Sequence, residues 1–265
     1  MINVSDIQNK INSQKVPLFR HNRLLNLSTN PLKPLSADTV SFRGVKPRMY
    51  ELKKEAGSYR YFQEFPISKD NSYRVIYYED VTHKCKKDGK APFPPSHIKF
   101  KKPVDMSLGL EICKQNLLGY PNWSIYNDRQ FDILKDMLQN CDELKDEKLV
   151  SCMDAMNNTI VLELEGNRVL KMVKYDPFPE GRFYEPSFDL PLFSSVYQSG
   201  DYYAFVQEKA QTDDVSIDDL NSVIERIEAA GYEPYDIVGN ELQVGWSEIK
   251  QDYMLLDTEC ARVKE

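Results

Sequence analysis

Tyr253-Met254-Leu255-Leu256-Asp257-Thr258-Glu259-Cys260-Ala261-Arg262 is a short apolar run that ends abruptly in an acid. A carboxylate at the mouth of a buried strand is held rigidly at the end of a sheet. That is a good position for a metal ligand and a costly one for an idle charge. Asp after a strand also commonly opens a turn, so Asp257 has a purely structural reading as well. Upstream, Arg168-Val169-Leu170-Lys171-Met172-Val173 repeats the theme with the opposite sign, a lysine inside an apolar strand. Such a lysine either snorkels from an edge or serves an anion.

Working outward, the pattern from residue 148 is one of short strands over residues 148–152, 158–164 and 168–174, with the tight turn Gly166-Asn167 between the last two. A connector holding Pro177, Pro179, Pro186 and Pro191 leads to strands over 192–197 and 202–209. The clearest helix follows. Ser216 caps it, Asp219 completes a capping box, Leu220, Val223, Ile224 and Ile227 form the apolar stripe, and Gly231 ends it. Residues 242–246 and 253–256 then pair as a final hairpin.

Before residue 148 the chain reads differently. Residues 1–45 mix Asn, Ser, Lys and Pro without a persistent period, as a disordered tail does. Val40-Ser41-Phe42-Arg43-Gly44 in that tail resembles a short Val-Ser-Phe-x-Gly element near the start of many otherwise unrelated bacterial proteins. Residues 59–65 and 72–81 read as a hairpin, residues 82–103 as a Lys-rich loop, and residues 107–118 and 128–141 as two helices. The second helix sets Phe131, Leu134, Leu138 and Cys141 on one face. The organisation expected is a tail (1–45), a basic hairpin-and-helices module (46–147) and an acidic domain (148–265).

The net charge of −7 conceals an asymmetry of +10 over residues 1–105 and −17 over residues 106–265. Opposed halves suit mutual attraction or a protein partner for each. The Lys-rich stretch beside Phe93 and Phe100 has the chemistry to track a nucleic-acid backbone, but a solvated surface loop is the commoner explanation, so nucleic acid is not the expected partner. No apolar run is long enough to span a bilayer and residues 1–6 do not read as a signal peptide, so a cytoplasmic location is expected. Five scattered cysteines, an odd number with no Cys-x-x-Cys pair, favour reduced thiols over disulfides or zinc. His21, His83 and His97 are too dispersed for a metal site or a hydrolase triad.

The order of elements from 148 to 262, with Lys171 in the third strand and Asp257-Thr-Glu-Cys-Ala-Arg262 after the last hairpin, resembles the nucleotide-binding centre of the protein kinase fold. The resemblance covers less than half of the chain. It implies an α+β fold, a small antiparallel sheet plus a helix forming a minimal kinase-like domain after the basic α+β module. It implies ATP and Mg²⁺ as cofactors, and phosphoryl transfer to a protein or small-molecule hydroxyl. Lys171 then falls on the phosphates. Gln207 and Glu208 lie in the strand entering the hinge, where backbone groups meet the adenine. Asp236, in Tyr235-Asp236-Ile-Val-Gly-Asn240, takes the role of base, and Asp257 and Asn240 bind the metal, with Gln243 a rival second ligand.

Several residues depart from that pattern. The stretch Ser151-Cys-Met-Asp-Ala-Met-Asn-Asn158, where a Gly-rich phosphate loop belongs, has no glycine. Asp236 and Asn240 are four positions apart where the family has five. No helix fits residues 175–191 to carry a partner glutamate, although Glu180 and Glu185 lie there. Two alternatives therefore stand beside a kinase: a degenerate nucleotide-binding pseudokinase, and a non-catalytic interaction module with no nucleotide site.

Overall fold

Alternation with the β pleat builds the larger layer of the fold. In residues 160–164, Ile160, Leu162 and Leu164 are buried while Val161 and Glu163 face the other way, half-buried. The computed structural model describes residues 49–55, 58–77, 97–117, 128–144, 146–153, 159–178 and 181–264. Its sheet strands are β1 (Met49–Glu55), β2 (Ser58–Pro66), β3 (Ser72–Tyr77), β4 (His97–Asp105), β5 (Lys148–Met153), β6 (Ile160–Leu164), β7 (Arg168–Val173), β8 (Tyr197–Ser199) and β9 (Tyr202–Glu208). They form one antiparallel sheet in the order β1-β2-β3-β4-β5-β6-β7-β9-β8. The class is α+β as expected, but the sheet has nine strands and is not small.

The enlargement comes largely from β4, which sequence reading assigned to the Lys-rich loop. Ile98, Phe100 and Val104 point into the core while Lys99, Lys101 and Lys102 face out. Pro103 lies where the register shifts between Lys99 and Val104, so an irregularity takes the residue that cannot donate to the ladder. β4 also crosses the expected boundary at 147/148. It pairs with β5 through Lys99 to Ser151 and Val104 to Leu149. The basic module and the segment after it therefore share one sheet within the unit spanning residues 47–265. The tail expected over 1–45 lies outside the described residues. The strand expected over 192–197 reduces to a bridge from Leu192 to Gln207 and the short β8.

One face of the sheet carries helices α1 (Met106–Leu117) and α2 (Asp128–Gln139). Phe131, Leu134 and Leu138 of α2 join Leu110, Leu162, Leu170 and Met172 in a continuous core, so the spacing read from the sequence holds. Gly109 marks the closest approach of α1 to the sheet. A Cβ there would sit 2.5 Å from Leu149 Cδ2 and 3.2 Å from Val104 Cγ2. Alanine would gain about 1 kcal/mol of helix propensity, and overpacking costs about 1–3 kcal/mol. Gly109→Ala is therefore expected to lower the urea midpoint; a raised midpoint would show that the contact relaxes freely.

A second core lies between residues 188 and 261. Helix α3 (Ile217–Ala229) starts at the expected capping box, with Asp219 N donating to Ser216 Oγ at 3.2 Å and Ser216 N donating to the Asp219 carboxylate at 2.9 Å. Its Leu220, Val223 and Ile227 pack on Phe188, Ile237, Val244 and Leu255. The hairpin β11 (Val244–Ser247) with β12 (Asp252–Leu255) forms as expected. A two-stranded pairing of β10 (Tyr232–Pro234) with β13 (Ala261–Val263) was not foreseen. No helix among the described residues is long and apolar enough to cross a membrane.

Candidate functional site

The pleat of β7 divides its residues. Leu170 and Met172 enter the main core, so Lys171 is turned to the opposite face. There its Nζ donates to the carbonyl of Leu256 at 2.5 Å across 85 residues of sequence. Gln207, from the neighbouring β9, donates to the same carbonyl at 3.4 Å. Two sheet side chains thus hold the residue just before Asp257. Burial pulls the Lys171 pKa below its ordinary value, and the charges of Asp257, Cys260 and Glu259 resist that shift. An ammonium has three donors. One is used on the Leu256 carbonyl, and among the described residues no carboxylate comes within the 4.0 Å of an ion pair.

Asp257 leaves β12 and opens a 3₁₀ turn, Thr258–Cys260. Its carboxylate accepts weakly from Glu259 N at 3.4 Å, and its carbonyl accepts from Cys260 N at 3.0 Å. The turn-opening reading of Asp257 is therefore realised, and it leaves the carboxylate half-buried beside Lys171. Glu259 sits close by. Burial and then the Asp257 charge raise its pKa, while Arg262 and Lys171 pull it down. Burial, followed by Asp257 and Asp236, pushes the Cys260 thiol up to about 12.

Asp236 reaches the same region through the β10–β13 pairing. Pro234 faces Ala261, and Tyr235 N donates to the Cys260 carbonyl at 2.7 Å. The loop over 235–240 therefore begins where the Asp257 turn ends. Ile237 is fully buried and anchors the loop, while Asp236 stands exposed with φ 53°. That left-handed conformation is uncommon for a residue with a side chain, and Asp is among those that tolerate it best.

The two residues expected to compete as a second metal ligand are placed unequally. Val244 pairs with Leu255, and the Gln243 carbonyl accepts from Leu256 N at 2.9 Å, so Gln243 stands directly across from Leu256. Asn240 lies three residues earlier, its N–H bonded to the Ile237 carbonyl at 3.0 Å. Among the described residues no three His, Cys, Asp or Glu side chains converge to hold a metal ion.

The strand expected to meet the adenine is engaged on both sides. Gln207 pairs with Val169 and bridges Leu192. Glu208 N donates to the Pro191 carbonyl at 2.9 Å. The buried Glu208 carboxylate accepts from Ser247 Oγ at 2.5 Å and Ile249 N at 3.1 Å. The Glu208 side chain therefore braces the β11–β12 turn, because a desolvated carboxylate is stable only with such donors. Glu185 sits in no helix, its carboxylate accepts from Ser187 N at 3.2 Å, and it is not among the groups that shift Lys171. Glu180 and the glycine-free stretch 154–158 lie outside the described residues.

Sequence reasoning missed Glu259, which two-residue spacing from Asp257 marks as a second acid at the strand mouth. It also missed a fully buried ion pair, Arg182 to Asp189 at 2.6 Å, each side chain at most 1% exposed. Arg182 donates to the Ala261 carbonyl at 3.2 Å and to the Phe183 carbonyl, and lies over the rings of Phe178, Phe188 and Tyr232. Its signal was an arginine surrounded by aromatics in the Pro-rich connector. No protein-family model, curated protein or solved structure matches this chain.

Proposed function

We propose that residues 148–263 form a Mg·ATP site of kinase-like architecture. The observation that carries this reading is the Lys171 ammonium, bonded to the Leu256 carbonyl beside the Asp257 charge. A partly buried ammonium is a fit for an anion, and phosphate oxygens accept well from it. Mg²⁺ is usually held by one or two carboxylates and completed by substrate phosphates, so a partial set of protein ligands is compatible with it. Asp257 with Gln243 or Asn240 would supply that set.

In this reading Lys171 binds and orients the phosphates from the sheet side. Asp257 fixes the metal against them. Asp236, exposed on its anchored loop, accepts the proton of the attacking hydroxyl. Bound Mg·ATP supplies the phosphoryl group itself. Gln207 keeps the Leu256 carbonyl in place when Lys171 turns to the ligand.

A thermal-shift titration tests this. Mg·ATP at about 100 times its Kd should stabilise the fold by about 2.7 kcal/mol, and Lys171→Ala and Asp257→Ala should abolish the shift. An acyl-phosphate ATP analogue should acylate Lys171. Transfer of labelled phosphate, lost in Asp236→Asn, separates turnover from binding alone. The engaged Gln207–Glu208 strand favours a second reading, an interaction module with no nucleotide site. Absence of both the shift and the acylation would leave that one standing.

A further inference from the structure

The loop that carries Asp236 exposes three large apolar side chains, Tyr235 at 48%, Val238 at 76% and Leu242 at 81%. The same stretch buries Ile237 and Val244 completely, so the chain here sorts its apolar residues and sends these three outward. Turn hydrogen bonds from Asn240 N to the Ile237 carbonyl and from Gln243 N to the Asn240 carbonyl, at 3.0 and 3.1 Å, hold the segment in that arrangement. Apolar side chains exposed together, rimmed by polar groups, mark a surface for another molecule.

The rim is acidic. Over residues 233–242 the chain holds three acids, Glu233, Asp236 and Glu241, and no base. Glu233 and Asp236 are exposed within it. The Arg262 guanidinium lies 3.1 Å from the Tyr235 ring centroid, a cation already seated on one of the three apolar groups. That contact shows the Tyr235 face taking positive charge.

From charge and exposure together we infer that residues 235–242 dock a basic polypeptide segment that carries an apolar residue, and present its hydroxyl to Asp236. The chemistry rests on the reading above; the docking does not. Outward-facing Val238 and Leu242 suit an extended chain lying across them, and the acidic rim repels nucleic acid and other polyanions.

Fluorescence anisotropy with labelled peptides tests the inference. A short peptide of alternating Arg, Leu and Ser should bind at least about tenfold more tightly than its Glu-for-Arg counterpart or one with Gly in place of Leu. Binding should weaken as salt rises. The double substitution Val238→Asp, Leu242→Asp should lose about tenfold in affinity while the Mg·ATP shift is kept, and the exposure of both positions predicts an unchanged melting temperature. Equal binding of the three peptides, or no loss in the double variant, would overturn the docking surface. Lys171→Ala should bind the Arg-Leu-Ser peptide like the parent. If that holds while Mg·ATP gives no shift in the parent, the nucleotide reading fails and the docking surface survives it.

Discussion

Arg182→Ala will lower the unfolding free energy by about 3–5 kcal/mol, the usual result of removing one partner of a buried ion pair. The substitution strands the Asp189 carboxylate in a site where it is 0% exposed as a residue. It also frees the Ala261 carbonyl and empties the space between Phe178, Phe188 and Tyr232. The consequence reaches the candidate site, because Ala261 opens β13 and β13 aligns the Asp236 loop with the Asp257 turn. Urea unfolding measures the effect, and a loss under about 1 kcal/mol would remove the pair from the fold's supports. Arg182→Met combined with Asp189→Leu should recover much of it, since paired apolar replacements leave no charge unmatched.

The same pair has a pH signature. Burial raises the Asp189 pKa to about 6 even though Arg182 and the Glu185 N–H pull it down. A carboxyl that holds its proton more tightly in the fold than in the unfolded chain contributes stability below about pH 4, lost as pH rises through about 6. At pH 7 the pair is ionised. Asp189→Asn should therefore remove a fall in stability between pH 4 and 6, read as the difference between the two proteins across that window.

Strands with a clean period were legible in the sequence. Residues 160–164 and 168–173 alternate or run apolar around a Gly-Asn turn, and α3 announces itself by cap, stripe and stop. β4 was not legible because Lys99, Lys101 and Lys102 crowd its open face and Pro103 breaks its register, which mimics a loop. β10 and β13 are three residues each, too short for any period to show. For the candidate site, Lys171 and Asp257 stand out in the sequence by their placement in strands. Their meeting through the Leu256 carbonyl depends on a tertiary contact that no local pattern encodes. The contacts of Glu208 were hidden for a related reason. Its strand was recognised, but the 191–192 connector and the β11–β12 turn that engage it lie elsewhere in the sequence.

Lys171→Met should make the protein more stable and deaf to Mg·ATP at once. Methionine keeps the apolar stem and removes a desolvated charge that has a carbonyl but no ion-pair partner. The Leu256 carbonyl does not become an orphan, because Gln207 still donates to it. A gain in stability is therefore expected at neutral pH. The pH dependence has a definite sign. Burial lowers the Lys171 pKa, so above that lowered value the unfolded chain binds more protons than the fold does. Stability therefore rises with pH from the folded pKa up to 10.5. The substitution should flatten that rise. A residue that destabilises the free protein and is required for the ligand is the mark of a site kept for function. If Lys171→Met instead lowers the melting temperature, the ammonium is a structural tie between sheet and hairpin. The anion it was thought to await would then have no place in this fold.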